Sequence, residues 1–171
     1  MQLDNMLLQA CKNNKKSVVQ TFLKRGGVDV NKRDESGNTP LIYACRKSAR
    51  DLVKLLLDNG AEADLGNQKS RTPMHFAAEA GNFQIISMLI DAGADVNCTD
   101  NDGVTPLMLL AQNGKTDAAL KLIQNPDIDM AIKDNSGHLA VDYATSAGLR
   151  ELVEALSQAE GNHADAEGNT T

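Results

Sequence analysis

The sequence predicts an all-α fold, a solenoid of stacked helix-turn-helix units that are joined by short β-hairpin loops. Three observations predict this fold. The segment that begins at Thr72-Pro73 recurs 33 residues upstream at Thr39 and 33 residues downstream at Thr105. A second apolar helix follows each copy, and turn-forming Asp and Gly residues separate the copies. A fixed period of this length is typical of a repeat array, in which neighbouring units share one core.

Each recurring segment begins a helix. The Thr hydroxyl can accept a hydrogen bond from an N–H of the first turn. Pro at the first helical position loses no bond, because its missing N–H would have had no partner there. The residues that follow are small or apolar, as in Ala77-Ala78, so this first helix of each unit is predicted to be buried closely on at least one side.

The second helices begin near Asp51, Phe83 and Asp117, and their apolar residues are spaced three to four apart, as on one face of a helix. Gly60 and Gly93 follow two of these helices, where a left-handed residue commonly ends the last turn. Asp-x-x-Gly turns then lead to the next Thr-Pro. One unit is therefore a turn or hairpin followed by two short antiparallel helices.

The period of 33, the segment Thr-Pro-Met-His-Phe-Ala at 72–77 and the segment Gly-Ala-Asp-Val-Asn at 93–97 closely resemble the ankyrin repeat. The resemblance covers residues 2 to 157 and implies a small five-repeat ankyrin protein with one domain at 1–157. Its repeats are an N-terminal cap at 2–33, internal repeats at 34–66, 67–99 and 100–133, and a C-terminal cap at 134–157. Residues 158–171 lack large apolar side chains and are predicted to form a disordered polar tail.

Several repeats depart from the pattern, among them the first and the third. The first has Asn5-Met6 in place of Thr-Pro and a polar turn of Lys and Asn residues, so we expect it to present a polar outer face. The third has Ser70 where the turn usually has Gly, which predicts a loop that is altered but kept. Because an array with capped ends need not associate, we expect a monomer.

Composition disfavours several function classes. The net charge of −6 argues against a general nucleic-acid binder, since phosphate contacts need a basic surface. No apolar run approaches the roughly 18 residues of a membrane span, and the N-terminus lacks the order of a signal peptide. Cys11 and Cys45 occupy one position of successive first helices, which predicts buried, reduced thiols. A cytoplasmic location is therefore expected, with the nucleus as an alternative.

The sequence offers no catalytic constellation. His75 lies at the ankyrin His position and is predicted to join neighbouring turns by hydrogen bonds. Cys and His residues lack the spacing of a zinc site or a nucleophile pair. The segment Asp100 to Gly103 is similar to a calcium loop, but Ala111 stands where the loop requires Glu. We therefore expect a non-enzyme that needs no cofactor and no metal.

The ankyrin resemblance implies that another protein binds along the concave face, through the loop tips and the exposed side of the first helices. The candidate residues in this sequence are Lys12, Glu35, Ser36, Asn38, Tyr43, Arg46, Lys47, Gln68, Lys69, Arg71, Phe76, Glu79, Asn101, Asp102, Val104, Met108, Gln112, Asn113 and His138. The basic members belong to the first three repeats. This predicts a partner with an acidic segment, whereas the alternative is that these are ordinary solvated charges.

Several roles fit such a module. It is expected to be an adaptor or a stoichiometric inhibitor. It resembles the ankyrin inhibitors of cyclin-dependent kinases in size and repeat number, and it equally resembles proteasome-assembly chaperones or a pathogen protein aimed at host factors. A different role is that of a substrate. Asn31 and Asn97 lie in Val-Asn contexts that resemble hydroxylated asparagines of animal ankyrin proteins, and the competing interpretation is a structural loop asparagine.

Overall fold

The computed structural model describes residues 2–167, which form ten α-helices. Their bounds, in chain order, are α1 Gln2–Lys12, α2 Lys16–Arg25, α3 Pro40–Arg46, α4 Arg50–Asp58, α5 Pro73–Ala80, α6 Phe83–Asp91, α7 Pro106–Gln112, α8 Thr116–Leu122, α9 Ala140–Ser146 and α10 Arg150–Glu167.

The helices stack in two layers. The odd-numbered first helices pack in series from α1 to α9, and the even-numbered second helices pack in series from α2 to α10. Each first helix also packs on the second helix of its own repeat. The buried apolar side chains of all five repeats form one continuous cluster, which contains many small and aliphatic residues. This is the predicted solenoid, in which no repeat buries its apolar face alone.

The first helices begin where the Thr-Pro pairs predict. Thr39 Oγ1 accepts a hydrogen bond from the N–H of Ile42 at 3.2 Å, and Thr105 Oγ1 accepts one from Met108 at 3.3 Å. The fifth repeat lacks Thr-Pro and uses a carboxylate instead, because Asp142 Oδ2 accepts from the N–H of Leu139 at 2.7 Å. Both devices give partners to N–H groups at the helix start.

The loops between repeats are turns rather than strand hairpins, since residues 2–167 contain no β-strand. Asp34 Oδ1 accepts from the N–H groups of Ser36 and Asn38, both at 2.9 Å, and the N–H of Gly37 bonds to the Asp34 carbonyl. The Asp34 side chain thus stabilises the turn, a role that backbone hydrogen bonds between two strands would have in a β-hairpin. Ser70 adopts φ +57° in the equivalent place of repeat three, so the altered loop is kept, as predicted.

Two expectations about the ends of the array differ from the structure. Helix α10 continues to Glu167, so residues 158–167 are helical and not disordered, while 168–171 lie outside the described residues. The Ala, Glu and Gln residues of that segment favour the helical conformation. The first repeat does not present a wholly polar outer face, because Met6 and Val18 are 49% and 43% exposed. The counterparts of both side chains in the other repeats are buried.

Candidate partner-binding surface

The loop tips, at residues 34–37, 67–70, 100–103 and 134–137, are tied together in a row. Backbone N–H groups donate across neighbouring tips from Gln68 to Ser36, from Asn101 to Lys69 and from Asn135 to Asp102, at 2.9–3.0 Å. Asn101 and Asn135 add side-chain bonds to backbone carbonyls of the preceding tip. We call the loop tips and the exposed side of the first helices the tip surface. Its backbone is held at a fixed repeat spacing.

Aromatic rings on the first helices hold cations from three repeats. The Lys12 ammonium lies 5.6 Å from the centroid of the Tyr43 ring. The Arg46 guanidinium lies 5.7 Å from the centroids of both Tyr43 and Phe76, and the Arg71 guanidinium lies 4.5 Å from that of Phe76. Cations at these distances are attracted by the ring faces. Lys12, Arg46 and Arg71 therefore form a row across repeats one to three, which we call the cation row.

The three cations of the row differ in their exposure to solvent and in their ion pairing. Arg71 also forms an ion pair with Glu79 at 3.2 Å, and its side chain is only 20% exposed. Lys12 and Arg46 are exposed, as are Lys47 and Lys69 beside them. The positive charge that a partner would meet is thus concentrated on repeats one and two, with Lys69 on repeat three.

A cleft of about 600 Å³ opens at the N-terminal end of the tip surface. Its charged lining consists of Lys12, Lys32 and Arg33, together with Asp34 and Glu35. Arg33 is partly used by the fold, because Nη2 donates to the Gly66 carbonyl at 2.6 Å. Sequence reasoning missed Lys32 and Arg33, although their position directly before the first loop tip could have identified them.

Tyr43 and Asp34 form a hydrogen-bonded pair in the lining of that cleft. Tyr43 Oη donates to Asp34 Oδ2 at 2.5 Å. Burial opposes ionisation of Asp34, but the bonds from Tyr43 and from the Asn38 N–H outweigh it and hold the pKa of Asp34 below its usual value. Burial and the same carboxylate raise the pKa of Tyr43. Asp34 is therefore a carboxylate at neutral pH, and Tyr43 keeps its proton.

The C-terminal end of the tip surface has the opposite character. A cleft of about 470 Å³ is lined by Asp134, Asp142, His138 and Tyr143 among others, with no Lys or Arg among the lining residues. Tyr143 Oη donates to Asp134 Oδ2 at 2.6 Å. This bond and the N–H of His138 lower the pKa of Asp134 to about 2, and the carboxylate raises the pKa of Tyr143 to about 12. The tip surface is thus basic at one end and acidic to neutral at the other.

Most of the predicted contact residues lie on the tip surface, but four of them are buried. Asn38, Tyr43 and Phe76 are 6–8% exposed, and Met108 is 1% exposed. The Asn38 amide is used by the fold, because Oδ1 accepts from Asn67 Nδ2 at 3.0 Å. Tyr43 and Phe76 hold the cation row with their rings. Met108 packs in the core, so its side chain cannot meet a partner on this surface.

The remaining predicted residues are partly or fully accessible. Arg71 and Val104 are half-buried, and the exposed ones are Lys12, Glu35, Ser36, Arg46, Lys47, Gln68, Lys69, Glu79, Asn101, Asp102, Gln112, Asn113 and His138.

His75 has the structural role that the sequence predicts. Its Nδ1 accepts from the N–H of Thr72 at 3.1 Å, and its Nε2 bonds to the carbonyl of Val104 in the next repeat at 2.9 Å. Burial lowers the pKa of His75, so the ring is neutral near pH 7. Burial also raises the pKa of the neighbouring Cys98 to about 12. Within residues 2–167, no group of His, Cys, Asp or Glu side chains could hold a metal ion.

The two asparagines considered for hydroxylation bridge neighbouring repeats. Asn97 Nδ2 donates to the Asp127 carbonyl at 2.7 Å, and its Oδ1 accepts from the N–H of Asp129 at 2.8 Å. Asn31 Oδ1 accepts from the N–H of Glu62 at 2.9 Å. These bonds give both residues a structural task. Hydroxylation stays a prediction, which a mass increase of one oxygen atom on a peptide containing Asn97 would test.

Comparison with protein families agrees with this architecture. A family model described as ankyrin repeats in three copies matches residues 7–100, and a second ankyrin model of many copies matches residues 89–144. The two helices per repeat, the Thr-Pro helix starts and the bridging histidine agree with these matches, and the chain belongs to the ankyrin repeat family. Ankyrin repeats generally mediate interactions between proteins, and that is the function class the family indicates.

Curated relatives share only segments of the chain. A protein of fowlpox virus described as an ankyrin repeat protein is 40% identical over 37% of this chain and 14% of its own length. An ankyrin and IPT/TIG repeat-containing protein of Schizosaccharomyces pombe is 49% identical over 29% of this chain and 4% of its own. An acyl-CoA-binding domain-containing protein of Danio rerio is 39% identical over 33% of this chain and 19% of its own length. The chain therefore matches less than a fifth of each relative.

None of the helices between residues 2 and 167 has both the length and the apolar character that crossing a bilayer would require.

Proposed function

We propose that this domain is a non-catalytic module that binds an acidic segment of a partner protein along its tip surface, which is the concave face in an ankyrin array. It acts as an adaptor or as a stoichiometric inhibitor that occludes its partner. The cation row, with Lys12, Arg46 and Arg71 held over buried rings, is the observation that carries this proposal.

The rings make the cations better contacts for a partner than solvated side chains would be. A free Lys or Arg loses rotamer entropy when a partner fixes it. The rings of Tyr43 and Phe76 already restrict Arg46 from both sides. Because the loop tips are also tied to one another by backbone bonds, the surface needs little reorganisation when it binds an extended segment.

The distribution of charge favours an acidic partner in one orientation. The protein carries a net charge of −6, yet cations outnumber carboxylates on the tip surface of repeats one to three. Such complementarity chiefly raises the association rate and sets orientation. The acidic end of the partner segment would lie over repeats one to three. The region around Asp134 and Asp142 would repel it.

Two finer statements belong to the same proposal. The domain has no enzymatic activity, which the neutral, hydrogen-bonded state of His75 supports. The domain works in the cytoplasm, with the nucleus as an alternative, which the free thiols of Cys11, Cys45 and Cys98 support.

The test uses charge reversal at matched repeat positions. Arg46→Glu/Lys47→Glu changes repeat two, and Gln112→Glu/Asn113→Glu changes the same two positions of repeat four. Wild type and both variants are used as baits in lysate of the source organism, and captured proteins are identified by mass spectrometry. We expect one acidic protein that wild type and the repeat-four variant capture and the repeat-two variant loses.

Kinetics with the captured protein then decide the mechanism. At low salt, the repeat-two variant should associate at least about tenfold more slowly than wild type, and the difference should shrink at high ionic strength. Equal association rates of wild type and the repeat-two variant at low salt would refute the role of the cation row.

A further inference from the structure

We infer that Glu79 competes with the partner for Arg71: its carboxylate occupies, on the Arg71 guanidinium, the place that an acidic side chain of the partner takes in the complex. Binding then exchanges one ion pair for another, and Glu79 weakens the binding of any acidic segment that does not displace it. This inference rests on the proposed function, because it concerns the same tip surface and the same acidic partner.

Glu79 stands where the two preceding repeats carry cations. Its position on the first helix of repeat three is that of Lys12 in repeat one and of Arg46 in repeat two. All three side chains are exposed, and the helices that carry them pack side by side. An acidic segment that lies across these helices therefore meets two cations and then, at repeat three, a carboxylate of its own sign.

Repeat three supplies a cation from another position. Arg71 lies directly before the Thr-Pro start, its guanidinium is 4.5 Å from the centroid of the Phe76 ring, and its Nη2 donates to Glu79 Oε2 at 3.2 Å. The residues at the Arg71 position in repeats two, four and five are Asn38, Val104 and His138. The third cation of the row is thus the only one of the three that the protein pairs with its own carboxylate at this surface.

The ion pair between Arg71 and Glu79 can open at little cost. The Glu79 side chain is 46% exposed, so water can replace Arg71 as its partner. The pair contains one hydrogen bond, and Arg71 Nε is buried without an acceptor within residues 2–167. The strongest contacts between Arg and a carboxylate have two parallel bonds, and accessible ion pairs without them contribute little to stability. A carboxylate of the partner can therefore take the place of Glu79.

The charges around Arg71 favour an anion at this place. The Arg46 guanidinium lies 5.7 Å from the centroid of the same Phe76 ring, and Lys69 on the adjacent loop tip is exposed. Cations that share one ring repel each other, and a carboxylate bound to Arg71 reduces this repulsion. In the free protein that carboxylate belongs to Glu79, and in the complex it belongs to the partner.

Competition predicts that removing the Glu79 charge strengthens binding. The probe is a fluorescent synthetic peptide of alternating Glu and Ser residues, and its affinity is measured by fluorescence anisotropy at about 50 mM salt, where charges are only partly screened. Glu79→Gln should lower the dissociation constant about three- to fivefold. Weaker binding by Glu79→Gln than by wild type would contradict the inference, because it would show that Glu79 positions Arg71 for the partner.

A double-mutant cycle separates competition from the loss of one negative charge. Glu35→Gln removes an exposed carboxylate from the neighbouring loop tip and serves as the matched control. In the Arg71→Gln background, the gain from Glu79→Gln should fall to the gain from Glu35→Gln, because no guanidinium is left to compete for. A gain from Glu79→Gln that is as large without Arg71 as with it would overturn the inference.

The same peptide distinguishes failure of this inference from failure of the proposed function. If Arg46→Glu/Lys47→Glu abolishes binding while Glu79→Gln binds like wild type, the tip surface binds acidic segments without displacing Glu79, and only the inference fails. If Arg46→Glu/Lys47→Glu binds the peptide as well as wild type does, the proposed function fails and the inference fails with it.

Nuclear magnetic resonance of the wild type keeps the test decisive if Arg71→Gln is poorly folded. Saturation with the peptide should shift the resonance of the Glu79 side-chain carboxyl carbon, because Glu79 leaves Arg71 for water. The Arg71 Nε–H resonance should shift as well, because a different carboxylate then bonds to the guanidinium. A Glu79 carboxyl resonance that stays unchanged at saturation would show that Glu79 remains on Arg71, against the inference.

Discussion

A tyrosine and the aspartate nine residues before it form the same hydrogen-bonded pair in two repeats. Tyr43 bonds to Asp34 in repeat two and Tyr143 bonds to Asp134 in repeat five, at 2.5 and 2.6 Å. The aspartate also closes the loop tip through backbone N–H groups. One residue pair therefore joins a loop tip to a first helix. Repeat four has Leu109 at the tyrosine position. Its aspartate, Asp100, therefore lacks this partner and accepts hydrogen bonds from backbone N–H groups.

The Asp134 pair predicts a pH dependence. The pKa of Asp134 is lowered to about 2, from about 3.8 in the unfolded chain, so its contribution to stability is present above pH 4 and is lost as the pH falls through 2. Tyr143→Phe removes the hydrogen bond from Tyr143, which is the largest cause of the shift. It should lower the melting temperature at pH 7, and the difference from wild type should shrink as the pH falls from about 4 to about 2.

Circular dichroism melts at several pH values check this, with Thr145→Val on the same helix as the control. A difference between Tyr143→Phe and wild type that is constant from pH 7 to pH 2 would contradict it.

At the scale of elements, the loop tips depend on close contact between repeats. Gly103 has φ +76°, and a methyl group on its Cα would lie 2.7 Å from Asn135 Oδ1 and 3.0 Å from Asn135 N in the next tip. Gly137 has φ +86° in the equivalent position of the last repeat, and a methyl group there would meet nothing within 4 Å. Glycine is needed for its backbone conformation at both positions, and for space only where another tip follows.

These two glycines allow a matched prediction. Gly137→Ala should cost about 1 kcal/mol of folding free energy, because alanine is strained at positive φ. Gly103→Ala should cost about 1–2 kcal/mol more, because the neighbouring tip must also move. Urea denaturation of both variants and wild type measures the difference. Equal losses would show that stacking of the tips does not restrict this position.

At the scale of the whole molecule, stability is a sum of repeats and of interfaces between neighbours. The central repeats are covered on both sides, and helix α5 is buried from Pro73 to Ala78. The first repeat is covered on one side, and Val19 is the buried residue of α2. The first repeat is therefore expected to be less stable than the central repeats.

Native-state hydrogen exchange checks this expectation. Amides of α2 should exchange at least about tenfold faster than those of α5. Uniform protection of α2 and α5 in the dilute protein would show that the array unfolds as a single unit.

The sequence by itself determined the repeat architecture. Local signals were sufficient, because Thr-Pro starts, Asp and Gly turns and helical apolar spacing act within a few residues and recur at a fixed period. The ankyrin resemblance predicted the inter-repeat bond of His75, and the repeated position of Cys11 and Cys45 on successive first helices predicted their burial. The basic character of the first three repeats could also be predicted, because the positions of Lys and Arg residues within each repeat can be read from the sequence.

Tertiary structure decided what lies at the surface. Tyr43, Phe76 and Met108 were predicted to contact a partner, but packing of successive first helices buries them. The structure shows that the rings of Tyr43 and Phe76 instead support the cation row, because Lys12 and Arg46 lie beside them. Burial follows from contacts between residues about 33 positions apart, which a local sequence pattern does not specify.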